Sequence, residues 1–224
     1  MAISLDTYGD NSGAGFANSF SINGGTPEGV VCMIPILGGF DEQVTGVTYG
    51  GNAMTEMSLS PFEASSGELN GIWISAWILE SGAPSGTQTV AVSGPSASLV
   101  GVFTFDADGN GIEEVDTSTF QSTSVSNANV TLSLGGETCY CLEGWGSGEN
   151  SVGQVSPKSG WTSRIEYDAG TFCAGIYSYD TIGSTDVSAG LVQSSDDAHI
   201  LAVAVRAVPA ASPGANLLTL LGVG

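Results

Sequence analysis

Runs of about five to ten residues with alternating or unbroken apolar character recur from residue 15 to residue 208, and glycine or proline closes off nearly every one of them. Such a pattern leaves little room for helices. GFANSFSI (15–22) and TQTVAVS (87–93) alternate, as a half-buried strand should. GVVCMIPIL (29–37) is apolar without a break, as expected of a strand covered on both faces. VTGVTY (44–49) and NAMTEMSLS (52–60) flank Gly50-Gly51, a tight-turn signal. NGIWISAWILE (70–80), LVGVFTF (99–105), NANVTLSL (127–134), TCYCLEGW (138–145), TSRIEYD (162–168), FCAGIYSYDT (172–181), DVSAGLVQ (186–193) and HILAVAVRAV (199–208) complete the set. The expectation is an all-β fold: an antiparallel β-sandwich, jelly-roll-like, of about a dozen strands, over residues 1–208. No repeat of solenoid or propeller type stands out. The 33 glycines fit many tight turns. A Pro/Gly linker and an apolar arm follow at 209–224, where Leu217, Leu218, Leu220 and Leu221 need cover from the sandwich or from a neighbouring subunit. Assembly into a homo-oligomer is the expected use of that arm.

Charge narrows the partners. The chain carries 23 acids against Lys158, Arg164 and Arg206, for a formal net charge of −20. The first 157 residues hold 17 of the acids and no Lys or Arg. A surface of this kind neither neutralises phosphates nor docks on anionic lipid, so nucleic acid and membrane are excluded as expected partners. The start MAISLDTYGD lacks a basic segment followed by an apolar run, so synthesis in a host cytoplasm without a signal peptide is expected.

Catalytic signatures do not emerge. Nucleophile-elbow, phosphate-loop and zinc-protease motifs are missing from the sequence. The single histidine, His199, is expected at the surface at a strand start. Cys32, Cys139, Cys141 and Cys173 have poor zinc spacing and are expected as buried free thiols. No enzyme is expected, and no cofactor is required.

Two stretches admit a binding reading. In FDADGNGIEE (105–114), Asp106, Asp108 and Asn110 fall at alternate positions, with Gly111 at the turn and the Ile112 carbonyl beyond it, as in a calcium loop. The twelfth position, where a bidentate Glu belongs, is Thr117, although Glu113, Glu114 or Asp116 could substitute. Asp-Gly and Asn-Gly after a strand equally describe a plain turn. The second stretch holds Trp73 and Trp77, which share a strand face about 13 Å apart at 3.3 Å per residue. They could stack on a host surface glycan, with Trp145 and Trp161 adding to the platform, or pack in a core.

One resemblance reaches further. Val47-Thr-Tyr-Gly-Gly-Asn-Ala-Met-Thr55, then Ile72-Trp-Ile-Ser-Ala-Trp-Ile-Leu79, then Pro84-Ser-Gly-Thr-Gln-Thr-Val-Ala-Val92, with Ile200–Val208 as a closing strand, resembles a β-sandwich module of tailed-phage virion proteins and some bacterial surface proteins. That module usually lacks the Asp-x-Asp-x-Asn-Gly loop. The resemblance implies a structural protein of a phage virion, displayed on the exterior as a capsid decoration, head fibre or tail-associated subunit, with other virion proteins as partners. The alternative is a carbohydrate-binding module built on the surface tryptophans.

Overall fold

The computed structural model describes residues 2–12, 19–36, 43–67, 69–94, 99–149 and 151–209. The leucines 217, 218, 220 and 221 of the expected assembly arm lie outside them. Strands build about two thirds of the described chain, and turns and loops build most of the rest. The first half supplies β1 (Ser4–Ser12), β2 (Ser19–Asn23), β3 (Gly29–Ile36), β4 (Gly46–Tyr49), β5 (Asn52–Ala53), β6 (Thr55–Glu56), β7 (Phe62–Glu63), β8 (Trp73–Leu79), β9 (Thr87–Ser93) and β10 (Leu99–Asp106). The second supplies β11 (Ile112–Asn127), β12 (Val130–Ser133), β13 (Thr138–Ser147), a 3-10 turn at Val152–Gln154, β14 (Ser156–Pro157), β15 (Thr162–Asp168), β16 (Cys173–Gly183), β17 (Asp186–Ala189) and β18 (Leu191–Ala207).

Every pairing is antiparallel, as expected, but the strands form four sheets in a stack. One inner sheet runs β1-β10-β3-β8-β6, with β7 also on β8, and is covered outside by β2-β9-β4-β5. The other runs β11-β18-β13-β16-β15, with β14 on β18, and is covered outside by β12-β17. Three apolar cores separate the layers. The central one joins the inner sheets through Val31, Met33, Ile74 and Phe103 on one side and Tyr140, Leu142, Ile176 and Val203 on the other. The outer cores hold Cys32, Ile34 and Val102 against Val47, Tyr49 and Val90, and Cys141, Trp145 and Ala204 against Leu132, Val187 and Ala189. Strands β3 and β13 therefore meet side chains on both faces, which is why the run GVVCMIPI carries no polar alternation.

The two halves repeat one another. Substituting β11, β18, β13, β16 and β15 for β1, β10, β3, β8 and β6 reproduces the strand order of the inner sheet, and β12-β17 reproduces β2-β9. The register agrees too. Cys32 pairs with Trp77 on one side and Val102 on the other; Cys141 pairs with Tyr179 and Ala204. Across the matching segments of these three strands the only identities are Cys32/Cys141, Ile74/Ile176 and Leu99/Leu201. The central contacts between the halves obey the same exchange: β3 meets β13, β10 meets β16 as β18 meets β8, and β8 meets β13 as β16 meets β3, while β1 packs on β15 and β16 more closely than β11 packs on β6 and β8. This is the self-complementary pattern of a twofold interface, here within one chain.

One substitution pair shows how the repeat kept its volume. Ile36 faces Trp73 across β3 and β8, whereas Trp145 faces Gly175 across β13 and β16. A Cβ on Gly175 would lie 2.5 Å from Trp145 Cζ2. The bulky residue changed strands, and its partner shrank to make room.

Candidate functional site: a buried carboxyl beside Lys158 and Asn127

The register places Glu143 where the first half has Ile34. Its neighbours on β13, Cys141 and Trp145, point into the outer core of the second half, and Glu143 is 0% exposed among them. Oε2 accepts the Gly190 N–H at 2.7 Å. Oε1 has no hydrogen-bond partner. Burial pushes the carboxyl up to about 8, against the opposing pull of the Gly190 N–H and the Lys158 charge. Glu143 is thus mostly a neutral acid at pH 7. Tyr177 sits opposite it on β16 with a buried, unpartnered hydroxyl. The Trp145 ring lies 5.2 Å from that of Tyr177, and its Nε1 is also unpartnered.

Gly190 links this carboxyl to the surface. Its φ is +138°, and a Cβ there would lie 2.2 Å from the Ala128 carbonyl oxygen, so only glycine fits the corner between β17 and β18. The Gly190 carbonyl accepts the Lys158 N–H at 3.3 Å. Two residues on, Val192 pairs with Asn127 at the end of β11 and with Ser156 of β14. From these flanking strands the side chains converge, and Lys158 Nζ donates to Asn127 Oδ1. The site joins an amine, a carboxamide and a carboxyl able to move protons near neutral pH, which are the groups that acyl transfer requires.

The other two basic residues are committed to carboxylates. Arg206 bridges Glu113 and Glu137 at 2.7 Å each. Arg164 meets Asp180 at 2.7 Å, where Tyr140 also donates at 2.7 Å, and its guanidinium lies 5.5 Å over the Tyr8 ring of the first half.

The loop FDADGNGIEE is the turn that joins the halves. Asp108 (φ +56°), Gly109 (+82°) and Gly111 (+80°) reverse the chain. Asn110 Nδ2 donates to the Asp108 carbonyl, Asp108 Oδ2 accepts the Ala2 N–H at 3.3 Å, and Ile112 enters the central core as the first residue of β11. Among the described residues, no three His, Cys, Asp or Glu side chains gather in a way that could hold a metal ion.

The tryptophan platform requires correction. Trp77 is 7% exposed, with Nε1 donating to Ser75 Oγ, and Trp73 packs half-buried on the same outer core. They do share a face, as the spacing requires, but that face is covered by the sheet β2-β9-β4-β5 and not by solvent. Trp145 and Trp161 are core residues as well, at 0% and 6% exposure.

His199 is also not at the surface. β18 starts at Leu191, eight residues earlier than a strand beginning at the histidine, so His199 sits mid-strand, fully buried. Its ring stacks on Phe62 at 4.4 Å, and Nε2 donates to the Phe62 carbonyl at 2.9 Å. Burial holds it down to about 4, hence neutral. The four cysteines are free and buried, as expected.

No protein-family model, curated protein or solved structure matches the chain.

Proposed function

We propose that the chain is a structural protein of a phage virion, displayed on the exterior as a capsid decoration, head-fibre or tail-associated subunit and associating with other virion proteins and copies of itself. The observation that carries this reading is the hairpin Val47–Thr55, the motif through which the chain resembles virion modules. Gly50 and Gly51 take φ +56° and +84°, the two left-handed positions of a two-residue hairpin turn. Thr48 pairs with Ala53, while Val47, Tyr49 and Met54 fill the outer core. The motif letters are thus the residues that fold the module. A charge of −20 suits a subunit crowded on a particle surface, where mutual repulsion preserves solubility. The burial of Trp77, Trp145 and Trp161 supports this reading over the carbohydrate-binding alternative, for which half-buried Trp73 is the tryptophan left with accessible surface.

The test is peptide mass spectrometry on density-purified phage particles from the source host, with gold-labelled antibody on intact particles. Peptides of the chain at capsid-like stoichiometry, with label on the outside, are expected. A chain confined to the particle-free supernatant overturns the reading.

A further inference from the structure

Lys158 is the only lysine in a chain with 23 acids. Among the described residues its amine meets no carboxylate within ion-pair distance and rests on the Asn127 carboxamide instead. A surface lysine in so acidic a chain finds a carboxylate by default, and both arginines do. The backbone fixes the exception. Asn127 and Ser156 flank Val192 from opposite sides, and the Lys158 N–H is tied to Gly190. The N–H of the same Gly190, one peptide group before the carbonyl that holds Lys158, donates to the carboxyl of Glu143, an acid placed where the first half has Ile34.

We propose that Lys158 and Asn127 form an intramolecular isopeptide bond, with the Glu143 carboxyl carrying the proton. The Nζ lone pair attacks Asn127 Cγ, the proton lost by Nζ passes through the carboxyl to the amide nitrogen, the Cγ–Nδ2 bond breaks, and ammonia leaves. One primary amide becomes one secondary amide, with no oxidant, reductant or cofactor. Contact imposed by three strands makes the attack unimolecular. A carboxyl that holds its proton in an apolar setting can deliver it to the leaving nitrogen and then, as the carboxylate this leaves, take up the proton that the attacking nitrogen loses. Asn127 is exposed and Lys158 half-buried, so ammonia departs directly to solvent. The bond ties the edge strand β11 to β14 and closes a ring over residues 127–158. The first half, with no Lys or Arg before residue 158, has no amine for a counterpart. The inference is independent of where the protein works.

Intact-mass spectrometry of the full chain tests it. The wild type is expected about 17 Da below the sequence mass, the loss of one ammonia, with a branched peptide joining residues 127 and 158 on digestion. Lys158→Arg and Asn127→Ala are expected at full mass, melting on the order of 10 °C below the wild type. Glu143→Gln, and Glu143→Ile, which copies the residue of the first half, are expected to fold by circular dichroism and to stay at full mass over the period in which the wild type reacts. A wild type at full mass overturns the proposal. So does ammonia loss that persists in Lys158→Arg, which would mean that Asn127 cyclises on its own backbone. A cross-link formed at the wild-type rate in Glu143→Gln overturns the proton role.

Discussion

The two halves share a scaffold and differ in what fills it. In the first, the strand pairs around β3 are lined by aliphatic and aromatic residues: Ile34, Ile36, Trp77, Val100 and Val102. In the second, the same register holds Glu143, and Ser178 and Asp180 occupy the sites of Ala76 and Ile78. All three basic residues and the histidine also lie there. One copy of the sandwich has a plain core while the other carries polar chemistry. The changes reach both faces of the second inner sheet: Glu143 lies on its outer core, while Ser178 and Asp180 stand where Ala76 and Ile78 face the central interface, which also holds the buried His199.

The largest expected effect breaks this contrast at Glu143. Its folded-state value is raised to about 8 from an ordinary 4.5, so the folded chain retains a proton that the unfolded chain releases between those values. The associated stability is fully present below pH 4.5 and is lost as pH rises through 8, to a limit of about 5 kcal/mol. Urea unfolding from pH 5 to pH 9 should show this decline, and Glu143→Ile should flatten it. An equal slope in that variant would assign the pH dependence to other groups. Next comes the shared interface. Phe103→Ala, in the central core at 0% exposure, should cost about 3–5 kcal/mol, and Val205→Ala, its counterpart in the second half, should cost less because fewer atoms are removed. Thermal melts of both variants check the order. A costlier Val205→Ala would mean that the interface is packed unequally.

A smaller effect sharpens the difference at the hairpin that only the first half develops fully. A Cβ on Gly51 meets nothing within 4 Å, so Gly51→Ala should cost only the left-handed backbone term, about 1 kcal/mol. The smallest concerns the ion pairs of the second half. Arg206 and its partners are 27%, 35% and 52% exposed, so Arg206→Ala should cost about 0.5 kcal/mol and lose even that at high salt.

Much of this was legible in the sequence, and what was not has physical reasons. GVVCMIPI and the Gly50-Gly51 hairpin announced themselves because burial on both faces and left-handed turns demand particular residues. β1 and β11 did not. SLDTYGDNS and IEEVDTSTFQSTSVSN are polar edge strands that exist because β10 and β18 offer them backbone partners, a tertiary effect without a local signature. The repeat was hidden because burial needs only apolar volume at a position, so side chains drifted while the register held. DVSAGLVQ read as one strand, yet Gly190 breaks it and creates the corner on which Glu143, Lys158 and Asn127 meet. The one available signal for that site was an acid inside the apolar strand TCYCLEGW, whose cost in a dry core asks for an explanation.

The short turn at Asp106–Gly111 has a consequence for assembly at low abundance. Two sandwiches on separate chains would find each other by collision, and dilution would part them. Joined through so short a connection, each faces its partner at an effective concentration fixed by the tether and not by expression level. Their docking is therefore first order, and the pair persists at any dilution at which the chain itself is folded.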